Sequence, residues 1–127
     1  MTSLLAVALV ACSSDDGASQ GSGDGSAGGE TVSVTDGSVT ITAADLVFDA
    51  STIEAPAGES FTVTLVNNDS VPHNFSVYTE EGGEAIVQGD TINGGETVDV
   101  EVPAQDAGDY FFKCDIHPDM NGTLVVG

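Results

Sequence analysis

The segment Tyr110-Phe111-Phe112-Lys113-Cys114-Asp115-Ile116-His117-Pro118-Asp119-Met120-Asn121-Gly122 decides how this chain is read. It begins as an aromatic strand and ends in a short run that Pro118 keeps from continuing as a helix. The whole protein contains two cysteines, two histidines and, beyond Met1, one methionine. Cys114, His117 and Met120 put one of each at every third position. The second histidine, His73, lies far upstream in Pro72-His73-Asn74-Phe75. A thiolate, two imidazoles and a thioether are the donors that favour copper in a trigonal site with a weak axial methionine. Zinc has little use for a thioether and would lack its usual fourth partner. The donor set therefore points to one copper ion, cycling between Cu(I) and Cu(II), on His73, Cys114, His117 and Met120.

Each residue has a plainer reading when taken alone. His73 would be a buried, hydrogen-bonded histidine, Cys114 a small core side chain, and Met120 core filler. Their joint placement in one loop and one strand reverses that preference. Pro118 stiffens the loop and, having no N–H, withholds a hydrogen bond from the thiolate.

Outward from this segment the chain is written in β grammar. Thr31-Val32-Ser33-Val34, Val39-Thr40-Ile41-Thr42, Phe61-Thr62-Val63-Thr64-Leu65 and Thr97-Val98-Asp99-Val100-Glu101-Val102 alternate apolar and polar residues. Turn signals fall between them, among them Asp36-Gly37, Pro56-Ala57-Gly58, Asn67-Asn68-Asp69 and Asn93-Gly94-Gly95. The spacing predicts an all-β, antiparallel sandwich over 31–127. Period-two parity puts His73, Phe75 and Val77 on one face of their strand, and Asn74, Ser76 and Tyr78 on the other. Tyr110, Phe112 and Cys114 share a parity in the same way. Asp115 to Asp119 should turn the chain into a last strand, Thr123 to Val126.

Twenty-one acidic residues against a single lysine give a net charge of −20. Nucleic acid is excluded as a partner, because no cationic surface is available to displace counterions from phosphates. The charge suits a self-repelling, well-solvated surface and steering toward a basic partner. Leu9-Val10-Ala11-Cys12 matches a bacterial lipobox behind a short apolar run, although Met1-Thr2-Ser3 supplies no basic residue. The expected organisation is a lipoprotein signal peptide over 1–11, then an acylated Cys12 with a Gly/Ser/Asp-rich tether over 12–30. The folded domain follows over 31–127. That places the protein outside the cytoplasm, lipid-anchored at the cell membrane on its periplasmic or outer surface. It also leaves Cys114 as a lone thiol in an oxidising compartment, where a metal would protect it.

At this point a resemblance becomes specific. Pro72-His73-Asn74-Phe75, Tyr110-Phe111-Phe112-Lys113-Cys114 and Cys114-x-x-His117-Pro118-x-Met120-x-Gly122 resemble the cupredoxin family of small blue copper proteins. The ligand loop is similar to the short amicyanin type. The resemblance implies a Greek-key β-sandwich with one type 1 copper at one end. It implies His73, Cys114 and His117 as strong ligands, Met120 as the weak axial one, and Asn74 as a tie between its strand and the cysteine loop. It further implies that the edge of His117, set in an apolar patch, is the electron port.

No enzymatic reading has enough residues. A multicopper oxidase needs more histidines, a binuclear centre needs two site cysteines, and a Cys114–His117 nucleophilic pair leaves no room for a substrate cleft. The expectation is a monomeric electron carrier serving redox proteins, a basic cytochrome or a respiratory complex among them. The rival is an extracytoplasmic lipoprotein that stores or delivers copper with the same ligands.

Overall fold

The computed structural model describes residues 30–127. The expected signal segment, Cys12 and nearly all of the tether lie outside them. Ten strands run through this part: β1 (Thr31–Ser33), β2 (Ser38–Ala44), β3 (Val47–Phe48), β4 (Thr52–Ala55), β5 (Phe61–Asn67), β6 (Ser76–Tyr78), β7 (Ala85–Gln88), β8 (Thr97–Val102), β9 (Gly108–Lys113) and β10 (Asn121–Val126). Among the described residues there is no helix. One sheet has the order β1-β4-β10-β9-β6-β7, the other β3-β2-β5-β8.

The sandwich expected from the alternation is present, but its sheets are mixed. β5–β8, β9–β10 and β6–β9 are antiparallel, whereas β1–β4, β4–β10 and β2–β5 are parallel. Alternation reports which side of a strand is buried and says nothing of strand direction. It also passes over short strands. β4 offers only Ile53 and Ala55 to the interior, and β7 is a largely exposed edge.

The long strands bury the predicted halves of their alternation. Phe61, Val63 and Leu65 of β5 and Val39, Ile41 and Ala43 of β2 face Ile53, Val77, Phe112 and Leu124 of the other sheet. Phe48, Phe75 and Phe112 form an aromatic knot among them, with Phe75 and Phe112 stacked at 5.1 Å between centroids. Removing one such ring costs about 3–5 kcal/mol.

Two register facts position the site. β9 and β10 pair Lys113 with Asn121, so the next pair is Cys114 with Met120. The amide of Cys114 indeed donates to the carbonyl of Met120 at 3.0 Å. Residues 115–119 are thus the loop of a β-hairpin whose closing pair brings thiolate and thioether onto one buried face. β6 and β9 pair Ser76 with Lys113. Extending that register sets Asn74 against Asp115 and Phe75 against Cys114.

Gly122 sits opposite Phe112 in this ladder. A Cβ there would come within 2.4 Å of the Ser51 carbonyl oxygen and 2.5 Å of the Phe112 ring. The Ser51 carbonyl is held by the Thr123 amide and the Phe112 ring is packed in the core, so neither can readily retreat. Gly122→Ala is expected to destabilise the metal-free protein by about 1–3 kcal/mol, read as a lower urea midpoint with an unchanged slope.

Candidate metal centre

His73 enters its strand through an isolated bridge to Ile92, with its amide donating to Ile92 O at 3.0 Å and its carbonyl accepting from Ile92 N at 2.9 Å. The buried Asn67 fixes the approach to it. Its side-chain amide donates to Val71 O and Ile92 O, and its oxygen accepts the amide of Asp69. His73, Cys114 and Met120 are buried, and His117 is half-buried between exposed Ile116 and Pro118. Parity was therefore a sound guide: His73 points inward beside Phe75 and Val77.

The three strong donors converge. Cys114 Sγ lies 3.7 Å from His73 Nδ1 and 3.9 Å from His117 Nδ1, and the two Nδ1 atoms are 3.2 Å apart. A trigonal metal about 2.0 Å from each nitrogen and about 2.3 Å from sulfur has donor separations of about 3.5–3.7 Å. The observed triangle fits without moving the backbone. Met120 adds a buried thioether from the closing pair of the same hairpin, and its amide donates to His117 O at 2.9 Å. This cluster fits one type 1 copper ion, which His73, Cys114 and His117 would hold with Met120 as a weaker fourth donor.

The imidazole of His73 is oriented from behind. Its Nε2 donates to Asp69 Oδ2 at 3.0 Å. A carboxylate can only accept, so the proton sits on Nε2 and the Nδ1 lone pair faces the cluster. Asp69 Oδ2 also accepts the Leu46 amide at 2.8 Å, and Oδ1 accepts the Ser70 amide. The bond from His73, then those from Leu46 and Ser70, hold the Asp69 carboxyl down at about 2. Residue pattern alone does not single this aspartate out, since Asn67-Asn68-Asp69 reads as turn punctuation.

Asn74 does what the resemblance implied. Its amide donates to Cys114 Sγ at 3.4 Å, and its side-chain oxygen accepts the Asp115 amide at 2.7 Å. Its Nδ2 donates to Asp115 Oδ2 at 2.9 Å and to Gly89 O at 3.1 Å. Pro118 has no N–H to offer the sulfur. Asp115, unremarked in the sequence, accepts also from Ser76 Oγ at 2.6 Å and, in a short bond, from the Tyr78 hydroxyl. Burial pushes the Asp115 carboxyl up, but the bonds from Ser76, Tyr78 and Asn74, with Lys113 nearby, hold it below its ordinary value. The same anion raises the Tyr78 phenol.

Two expectations follow. Asn74→Ala leaves the Asp115 amide and part of its carboxylate without partners, so the metal-free fold should lose about 1–3 kcal/mol in urea denaturation and release copper faster to a chelator. Asp69 is depressed in the fold relative to the unfolded chain, so its stabilising contribution is complete above about pH 4 and disappears as pH falls toward 2. The Asp69→Asn protein, measured by thermal midpoint from pH 5 downward, should lose stability less steeply than the parent.

With this geometry in view, the comparisons with known proteins agree. A family model described as "Cupredoxin-like domain" matches residues 3–126. Amicyanin-alpha of Methylorubrum extorquens is 31% identical over 90 residues, covering 71% of this chain and 72% of that protein. Amicyanin of Paracoccus denitrificans is 28% identical over 93 residues, covering 73% of this chain and 68% of that protein. Among solved structures, auracyanin A of Chloroflexus aurantiacus, described as a "blue" copper protein, superposes with a TM-score of 0.61. It is 28% identical, with 72% of this chain and 100% of that one covered. The chain belongs to the cupredoxin-like family of blue copper proteins.

Proposed function

We propose that this protein is a lipid-anchored electron carrier, passing single electrons between redox proteins outside the cytoplasmic membrane. The observation that carries the reading is the donor triangle of His73, Cys114 and His117, with the first two held by hydrogen bonds from the fold. Copper bound there supplies a one-electron couple whose two oxidation states tolerate the same trigonal environment. The chain's residues keep that environment from changing. Asp69 holds the His73 ring, the Asn74 amide and the Met120 carbonyl hold Cys114, and the Phe75–Phe112 pair excludes water beneath it. Half-buried His117 is the edge through which electrons enter and leave. Family membership supports a carrier rather than a catalyst.

The partners and the address rest on charge and on the leader. A chain with net charge −20 draws in a protein with a basic face, such as a cytochrome or a respiratory complex. Cys12 in Leu9-Val10-Ala11-Cys12 is the acylation site, and 12–30 lets the domain range near the membrane.

Adding one equivalent of Cu(II) to the metal-free protein should produce an intense sulfur-to-copper charge-transfer band in the visible spectrum. Cys114→Ser should abolish it, and a pale solution from the parent protein would refute the reading. Met120→Leu should keep the band and raise the reduction potential, because an axial donor to Cu(II) is lost. Stopped-flow reduction by a basic cytochrome should slow as salt is added, and the copper should stay bound through repeated cycles. Ready loss of Cu(I) to a chelator during cycling would favour copper delivery instead. In cells, Cys12→Ser should move the protein from the membrane to the soluble fraction.

A further inference from the structure

The lysine at 113 is the chain's sole Lys or Arg, set against 21 acidic residues, and it directly precedes the ligand Cys114. Its placement is specific. The Lys113 ammonium lies over the Tyr78 ring, 5.0 Å from the centroid. The hydroxyl of that ring donates to Asp115, the residue that directly follows Cys114. Gln88 Nε2 donates to the same hydroxyl at 3.1 Å. The strand register explains the grouping: Lys113 and Asp115 share the outer face of β9 and its continuation, opposite Ser76 and Asn74. The thiolate is therefore flanked along the chain by one cation and one anion, tied to each other through Tyr78.

Asp115 is anionic by its bonding. Three donors, Asn74 Nδ2, Ser76 Oγ and the Tyr78 hydroxyl, converge on its two oxygens and stabilise the charged form over the protonated one. This is more acceptor capacity than a hairpin loop needs for fastening, because Asn74 alone already bonds the Asp115 amide. What a carboxylate adds over a neutral side chain is charge.

Building on the copper reading above, we propose that Asp115 and Lys113 set the electrostatic bias of the copper site: the Asp115 anion favours the cupric state, and the Lys113 cation partly offsets it. The physical reason is direct. Oxidation adds one positive charge at the metal, a nearby fixed anion stabilises that charge, and a nearby cation opposes it. Both groups sit in the protein surface layer rather than in bulk water, so their fields are only partly screened.

The test is a redox titration of copper-loaded Asp115→Asn, Lys113→Gln and the double variant, followed by the charge-transfer band. Asp115→Asn is expected to raise the reduction potential, so that at fixed solution potential the cuprous-to-cupric ratio grows by roughly tenfold. Lys113→Gln is expected to lower it by roughly threefold in the same ratio. The double variant should fall between them. A purely structural role would loosen the site in both variants and would not produce opposite signs. Shifts in the same direction, or no shift in either, overturn the proposal. If Asp115→Asn fails to fold, Lys113→Gln decides alone: a lowered potential supports the proposal, and an unchanged or raised one overturns it. If the parent protein shows no charge-transfer band, the copper reading falls and this proposal falls with it. A normal band with unshifted variants defeats only the proposal.

Discussion

The pairing of the chain around Asn74 with the chain around Asp115 is the constraint on which the site depends. His73 and Cys114 are 41 residues apart in sequence, so long-range pairing has to bring them together. The antiparallel register of β6 and β9, carried past the end of both strands, sets Asn74 opposite Asp115. Side-chain and main-chain bonds between the two then hold the His73 strand against the cysteine hairpin. Because side chains alternate, fixing this register puts His73 and Cys114 on the inner face together. A slip of one residue would put the two on opposite faces and dissolve the triangle.

Beneath that clasp, packing and polarity are divided between the two faces. The inner face is dry, with Phe48, Phe75 and Phe112 in mutual contact under the ligands. The outer face is a hydrogen-bonded layer of Asn74, Ser76, Tyr78 and Asp115, closed over by Lys113. An apolar layer alone would resist water but would not fix the register; a polar layer alone would fix it but expose the metal. The cupredoxin-like fold uses the two sides of one strand pair for the two tasks. Opposite, Asp69 links His73 to the turn at Asp45 and Leu46, both at positive φ. That turn is held in its left-handed conformation partly by the bond to the residue that orients the ligand.

Much of this could be read from the residues. The rarity of Cys, His and Met, together with the three-residue spacing of Cys114, His117 and Met120, located the site without any fold. Alternation then gave the face of His73 and the sandwich around it. Pro118 marked the ligand run as a loop, and that loop proved to be a hairpin connection closed by Cys114 and Met120. Strand direction was not legible, since a period of two is the same for parallel and antiparallel neighbours. Neither was β4, whose contribution is Ile53 and Ala55 inserted beside β10. The supporting carboxylates were hidden for a different reason. In a chain with acidic residues spread throughout, Asp69 and Asp115 look like solvated surface, and only the fold shows that they face a ligand and a buried amide. Cys12 and the tether lie outside the described residues, and the lipid anchor stands as part of the proposed function.

One thiolate and two imidazoles of this chain converge closely enough to hold the same copper ion. X-ray absorption at the copper edge, on protein loaded with one equivalent, addresses it most directly. Copper held by Cys114, His73 and His117 would show a single short copper–sulfur distance together with two imidazole nitrogens, nearly unchanged when the sample is reduced. A coordination shell made only of nitrogen and oxygen, or one that rearranges on reduction, would contradict it.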